Sequence, residues 1–106
     1  MSDIKVRHWN EKTDGPLDQN TLKKKLENEG YRVSTYTYSP GTYFGNHEHG
    51  VSKIDAVLSG TFRIGINGKF IDLKAGDWLE VPAGAVHSAE VLGNEPVVSL
   101  DAVKIN

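Results

Sequence analysis

From Tyr31 onward, residues that favour strands come only in short runs, each cut off by a cluster of glycine, proline or asparagine. Val33, Thr35, Tyr36, Thr37 and Tyr38 lead into Pro40-Gly41. Later runs are expected at about Ile54–Leu58, Thr61–Ile66, Phe70–Leu73, Trp78–Val81, Val86–Val91 and Val97–Val103. Asn67-Gly68 is the strongest hairpin signal, because both residues tolerate the positive φ of a type I′ turn. Further turns fall at Ala75-Gly76-Asp77, Pro82-Ala83-Gly84 and Gly93-Asn94-Glu95-Pro96. Short strands at this spacing predict an all-β fold, an antiparallel barrel or jelly roll.

The N-terminal part reads differently. Ile4, Val6 and His8 alternate with Lys5, Arg7 and Trp9, the pattern of a short strand. A Gly15-Pro16 turn then leads to a helix of about 12 residues, capped near Asp18 or Asn20 and stopped by Gly30. Its apolar pair is Leu22 and Leu26, so it buries only a narrow stripe and is expected to cover one edge or end of the barrel. The 106 residues suffice for a single domain, with residues 1–30 packed on a barrel of residues 31–106.

Composition excludes several functions. A net charge of −2 gives no electrostatic reason to expect nucleic acid, and Lys23-Lys24-Lys25 reads as the solvated face of a helix. Without cysteine there is no disulfide or thiolate ligand, which suits a reducing compartment. MSDIKVRHW lacks the apolar centre of a signal peptide, and no run approaches the roughly 20 apolar residues of a membrane helix. A cytoplasmic protein with no membrane partner is the expectation.

The histidines carry the chemistry. His47 and His49 stand two apart, so on an extended segment both point the same way, and a distant strand can bring His87 to them. Three imidazoles would bind a divalent ion and leave coordination positions open. His8 is read as structural.

Gly41, five residues, His47-Glu48-His49 and a later Gly60 resemble the first cupin motif. Gly76, five residues, Pro82-Ala83-Gly84 and, two residues on, His87 resemble the second. The resemblance implies a cupin-type barrel with a short N-terminal helix, a site inside the barrel and assembly as a homodimer. It also implies that His47, His49 and His87 hold iron, nickel, manganese or zinc. A small oxygen-rich substrate would then meet the ion in a dioxygenase- or isomerase-type enzyme. The rival is a non-catalytic binding or sensing module, with or without metal, whose pocket takes a small anion. A barrel kept for protein interaction is a third reading.

One position departs from the motif: where cupins carry a glutamate ligand, this chain has Lys53. A divalent ion with three neutral histidines and glutamate sums to about +1, whereas an ammonium in its place gives about +3, costly in a low-dielectric pocket. Lys53 could be held neutral, Asp55 could pair with it, or the ammonium could replace the metal. Lys53 and Asp55 are therefore candidate catalytic residues, Lys53 giving a proton or fixing an anion and Asp55 setting its charge.

Strand alternation puts Ile54, Ala56 and Leu58 on the face opposite Lys53 and Asp55. An ordinary half-buried strand would expose the two charges. The cupin register turns them inward, and the apolar face then needs the N-terminal strand or a second subunit as cover. Glu48 is expected to point away from its histidine neighbours, and neither Glu80 nor Glu90 lies at a spacing from His87 that suggests a ligand. Tyr36, Tyr38, Tyr43, Phe44, Phe62 and Trp78 are candidates for an aromatic wall.

Overall fold

The computed structural model describes residues 4–105. Among these described residues nine strands form two antiparallel sheets. In chain order they are β1 (Val6–His8), β2 (Tyr31–Tyr38), β3 (Tyr43–His47), β4 (Lys53–Ser59), β5 (Thr61–Ile66), β6 (Lys69–Leu73), β7 (Asp77–Val81), β8 (His87–Leu92) and β9 (Val97–Lys104). Helices α1 (Glu11–Asp14) and α2 (Gln19–Asn28) lie between β1 and β2. One sheet runs β1-β7-β4-β9-β2 and the other β3-β8-β5-β6, the arrangement of a jelly-roll barrel.

Turn chemistry sets this layout. Asn67 (φ 55°) and Gly68 (φ 73°) both take the left-handed conformation and join β5 to β6, as the Asn-Gly signal requires. Gly60 combines φ 85° with a close approach: a Cβ there would lie 2.5 Å from the carbonyl oxygen of Pro96. No side chain fits between these strand ends.

The helix follows its sequence signals. Asp18 is the N-cap, its carboxylate accepting from the Thr21 amide at 2.8 Å while the Thr21 hydroxyl accepts from the Asp18 amide at 3.0 Å. Leu22 and Leu26 are fully buried. The four-residue helix α1, with Asn10 as its cap, was not expected from the sequence. Nor was β3 among the expected runs, because Gly45 and Asn46 interrupt it. It forms through pairing with β8, with a register shift between Phe44 and His47.

Strand β4 is buried on both faces. Val57 joins Phe62, Ile64, Leu73, Leu79, Val81, Val91 and Val97 in the core between the sheets. Ile54 and Ala56, with Leu58 packed alongside, join Leu22, Leu26, Tyr31, Trp78, Leu100 and Ala102 in a second core under α2. The register shift in β4 falls only between Val57 and Ser59, after Lys53 and Asp55 have been turned inward. The cover for the apolar face within the chain is α2, helped by Trp9 and Leu17, rather than the N-terminal strand. The reason is spatial. The narrow leucine stripe of α2 packs on the outer face of the five-stranded sheet, beside its edge strand β2.

Candidate metal centre

His47 is the last residue of β3 and His87 the first of β8, and the two are direct cross-strand partners. His49 lies two residues beyond the end of β3, so the expected extended segment stops short of it. It still reaches the cluster because the loop is tied down: the Gly84 amide donates to the His49 carbonyl at 2.8 Å, joining the two glycine-framed segments. Ring centroids are 4.2 Å apart for His47 and His87, 4.9 Å for His47 and His49, and 5.3 Å for His49 and His87. One ring nitrogen from each lies within 4.8 Å of the others.

The hydrogen bonds orient these rings. His47 Nδ1 is 2.7 Å from the Gly45 carbonyl and His87 Nδ1 is 3.0 Å from the Ala85 carbonyl. A carbonyl only accepts, so each Nδ1 carries the proton and each Nε2 keeps its lone pair. Metal-ligating histidines are commonly held in this way. Burial, followed by the neighbouring Lys53 and His47, lowers the pKa of His49. Burial also lowers that of His87, with His47 and Lys53 adding to it. Both rings therefore favour the neutral, ligand-competent form. Ligand nitrogens about 2.0–2.1 Å from a common ion lie roughly 3–3.4 Å apart, so the rings must close in from a spacing of up to 4.8 Å to share one. The donor set fits a divalent ion.

The rings open on a cavity of about 220 Å³ between the sheets, lined also by Tyr38, Phe44, Lys53, Asp55, Phe62 and Asp101. A larger groove of about 520 Å³ lies near Tyr43, Arg63 and Phe70 and contains none of the three histidines. Chemistry, not volume, singles out the smaller one. Tyr38, Phe44 and Phe62 form its aromatic wall, with centroids 5.0 to 6.4 Å apart. The other aromatic candidates lie elsewhere: Tyr36 and Tyr43 are 46 % and 62 % exposed, and Trp78 is buried in the core under α2.

Lys53 and Asp55 both face the cavity, so the exposed-pair alternative is excluded. Their pairing is not the one expected. Lys53 Nζ donates to Asp101 Oδ2 at 3.0 Å, and Asp101 Oδ1 is buried with no hydrogen-bond partner among the described residues. Asp101 was missed by sequence reasoning. It sits on β9 directly opposite Asp55 on β4, and no local spacing rule links it to Lys53, 48 positions away. Asp55 is pushed up to about 6 by burial and by the facing Asp101 carboxylate, with Lys53 pulling the other way. The Tyr38 phenol is pushed up to about 12 by burial and then by Asp101 and Asp55.

The remaining candidates lie outside the site. His8 is exposed on β1 and pairs through Nδ1 with Asp77 at 2.6 Å, which makes it structural but not on an apolar face. Glu48 is exposed. Glu80 accepts from the Tyr31 hydroxyl at 2.9 Å, on the strand face away from the cavity. Glu90 lines the larger groove.

Comparison with known proteins gives a consistent pattern. The family model described as "Cupin domain" matches residues 34–103. A cupin superfamily protein from Desulfitobacterium hafniense aligns with a TM-score of 0.64 at 17 % identity, covering 98 % of this chain and 79 % of that one. An uncharacterized conserved protein with a double-stranded β-helix domain from Klebsiella pneumoniae aligns with a TM-score of 0.61 at 30 % identity, covering 71 % and 67 %. A cupin protein from Bacteroides fragilis gives a TM-score of 0.62 at 28 % identity, covering 78 % and 72 %. None of the curated protein sequences compared with the chain matches it. Among the described residues no helix is long and apolar enough to cross a membrane.

Proposed function

The chain belongs to the cupin domain family, and from that premise we propose that His47, His49 and His87 hold one divalent ion beside a small-molecule site inside the barrel. The observation that carries this reading is that His47 and His87 both commit Nδ1 to a backbone carbonyl. Their Nε2 lone pairs are thereby left for a common ion. Imidazole suits iron, nickel and zinc, whereas manganese prefers oxygen ligands. Such an ion would polarise a ligand oxygen or supply redox chemistry at its open positions.

The chain's own residues set the rest. Tyr38, Phe44 and Phe62 line the cavity and exclude water from one side of a bound molecule. Asp101 supplies the negative charge missing at position 53. The Lys53–Asp101 pair is neutral, so a divalent ion in this cavity sums to about +2 rather than +3, and to about +1 once Asp55 ionises. We place the protein among small-molecule cupins of the dioxygenase or isomerase type, with Asp55 as the acid–base residue and Lys53 held in place by Asp101. The reading of a non-catalytic binding module is favoured by one feature. Lys53 is already bonded to Asp101 and is not free to move a proton.

Elemental analysis of untagged protein purified without chelator tests the metal reading. One divalent ion per chain, lost in His87→Ala, is expected. Equal metal content in the two proteins overturns it.

A further inference from the structure

The cavity contains two aspartates and one lysine, which on a count of formal charges suggests a site for cations. The geometry points the other way. Asp55 and Asp101 are opposite residues of β4 and β9, and their side chains enter the same space between the sheets. Directly opposed side chains on antiparallel strands have Cβ atoms about 4.5–5.5 Å apart, and two carboxylates at that separation repel. Only one of them has a cation. The ion pairs among the described residues are Arg7–Glu29, His8–Asp77, Lys25–Asp14, Lys53–Asp101 and Arg63–Asp72, none involving Asp55.

The proton therefore belongs on Asp55. Asp101 has the Lys53 ammonium as its counter-ion at 3.0 Å, while Asp55 faces that carboxylate across the ladder with no counter-ion of its own. The other titratable groups lining the space are Tyr38 from β2, His47 from β3, His87 from β8, and His49 from the loop after β3. Tyr38 keeps its proton, and burial moves His49 and His87 toward the neutral form; Lys53 and then His47 oppose the proton on Asp55, but burial and the facing Asp101 outweigh them. Its titration near 6 agrees with this arrangement. A protonated carboxyl presents an O–H donor where an ionised one presents only acceptors.

We infer that Asp55 is the hydrogen-bond donor of the cavity and that, with Lys53 and Asp101 locked to each other, it selects a small oxyanion ligand such as a carboxylate rather than a cation. The ligand's oxygen lies between the Asp55 hydroxyl and the histidine end, with its carbon skeleton against Tyr38, Phe44 and Phe62. Asp101 acts as a positioning residue: it holds Lys53 and, by its own charge, keeps the proton on Asp55. The same logic reappears in enzymes that pair an ionised with a protonated carboxyl. This inference rests on the cavity being the ligand site, but not on metal occupancy.

The test has two arms, both on metal-free protein. In carbon-13 NMR titrations of the aspartate carboxyls, Asp55 is expected to titrate near 6 rather than near the ordinary 3.8. Asp101→Asn should bring that midpoint down by about one unit or more, because it removes the facing charge and frees Lys53. An ordinary Asp55 midpoint in the wild type, or one unmoved by Asp101→Asn, overturns the inference.

The second arm uses acetate and methylammonium as probes, followed by amide shifts of Tyr38, Ala89 and Ser99. Acetate should perturb these residues and weaken by about tenfold or more from pH 5 to pH 8, as the Asp55 donor is lost and like charge appears. Asp55→Asn keeps a donor at every pH and should flatten that loss. Preference for methylammonium, binding of neither probe, or equal steepness in wild type and Asp55→Asn overturns the inference. A protein that passes both arms but binds no divalent ion sinks the proposed metal function while leaving the donor role of Asp55 intact.

Discussion

His47 and His87 face each other across the β3–β8 ladder with ring centroids 4.2 Å apart, each ring anchored to the carbonyl two residues before it. The anchors make the pair rigid before any ion arrives. Preorganised ligands act as a unit, so losing any one should cost nearly as much as losing two. For Zn²⁺ measured by calorimetry, His47→Ala, His49→Ala and His87→Ala should each weaken binding by more than the roughly 10–100-fold typical of losing an outer-shell partner. The His47→Ala/His87→Ala double variant should be little worse than either single one. His8→Ala, remote on β1 and paired with Asp77, should stay within about twofold of wild type.

Position 53 gives a second prediction. Lys53→Met leaves the Asp101 carboxylate without its cation, and for a partly buried pair the expected loss is about 1–3 kcal/mol of stability in metal-free protein. Added Zn²⁺ should return part of it, because the ion then faces an uncompensated negative charge. Lys53→Glu should bind Zn²⁺ more tightly than wild type, at a further cost to the metal-free fold. Thermal melts with and without Zn²⁺ check both. A Lys53→Met protein as stable as wild type would show that the 3.0 Å contact contributes nothing.

The helix cover supplies the third. Leu22 is fully buried against the outer face of the five-stranded sheet, so Leu22→Ala should cost about 2–5 kcal/mol. Ile54→Lys should be worse, placing an ammonium in the same core with no counter-charge arranged for it. Urea denaturation measures both. A well-folded Ile54→Lys protein with altered oligomeric state would instead mean that this face is an interface between chains.

Stability should respond to pH in two opposing ways. Asp55 has its folded pKa raised to about 6, so the folded state holds the extra proton between about 4 and 6. Its contribution is complete below that window and is lost as pH rises through it, by of order 3 kcal/mol. His49 and His87 are depressed in the fold, so their contribution is present above pH 6.5 and is lost as pH falls. Asp55→Asn removes only the first term. Between pH 4 and 7 its stability should therefore rise more steeply with pH than that of wild type, and the difference between the two curves should flatten above pH 7.

The parts of the site visible in the sequence are those set by local geometry. His47, His49 and His87 could be read because glycines and a proline at fixed offsets mark the strand ends that bear them. The inward turn of Lys53 followed from period-two alternation once the motif placed it. Asp101 could not be read. It is one acidic residue in an otherwise ordinary run, VVSLDAVK, and its role arises only from the β4–β9 register. The same holds for α2: its leucines announce a buried stripe, but nothing local says which surface receives it. Strand β3 was hidden because Gly45 and Asn46 have low strand propensity, and its partner β8 overrides them.

Strand β9 follows every other described strand in the chain, yet it lies in the middle of its sheet, between β4 and β2. During synthesis the histidine-bearing segments emerge first, and the gap that β9 must fill stays open until then. Until β9 docks, Lys53 has no counter-ion, Asp55 has no opposing carboxylate, and the wall that Ser99 and Asp101 give the cavity is missing. Insertion of β9 thus completes the sheet and sets the charge of the cavity in one late event. The long sequence separation between its partners makes that event the natural bottleneck in folding.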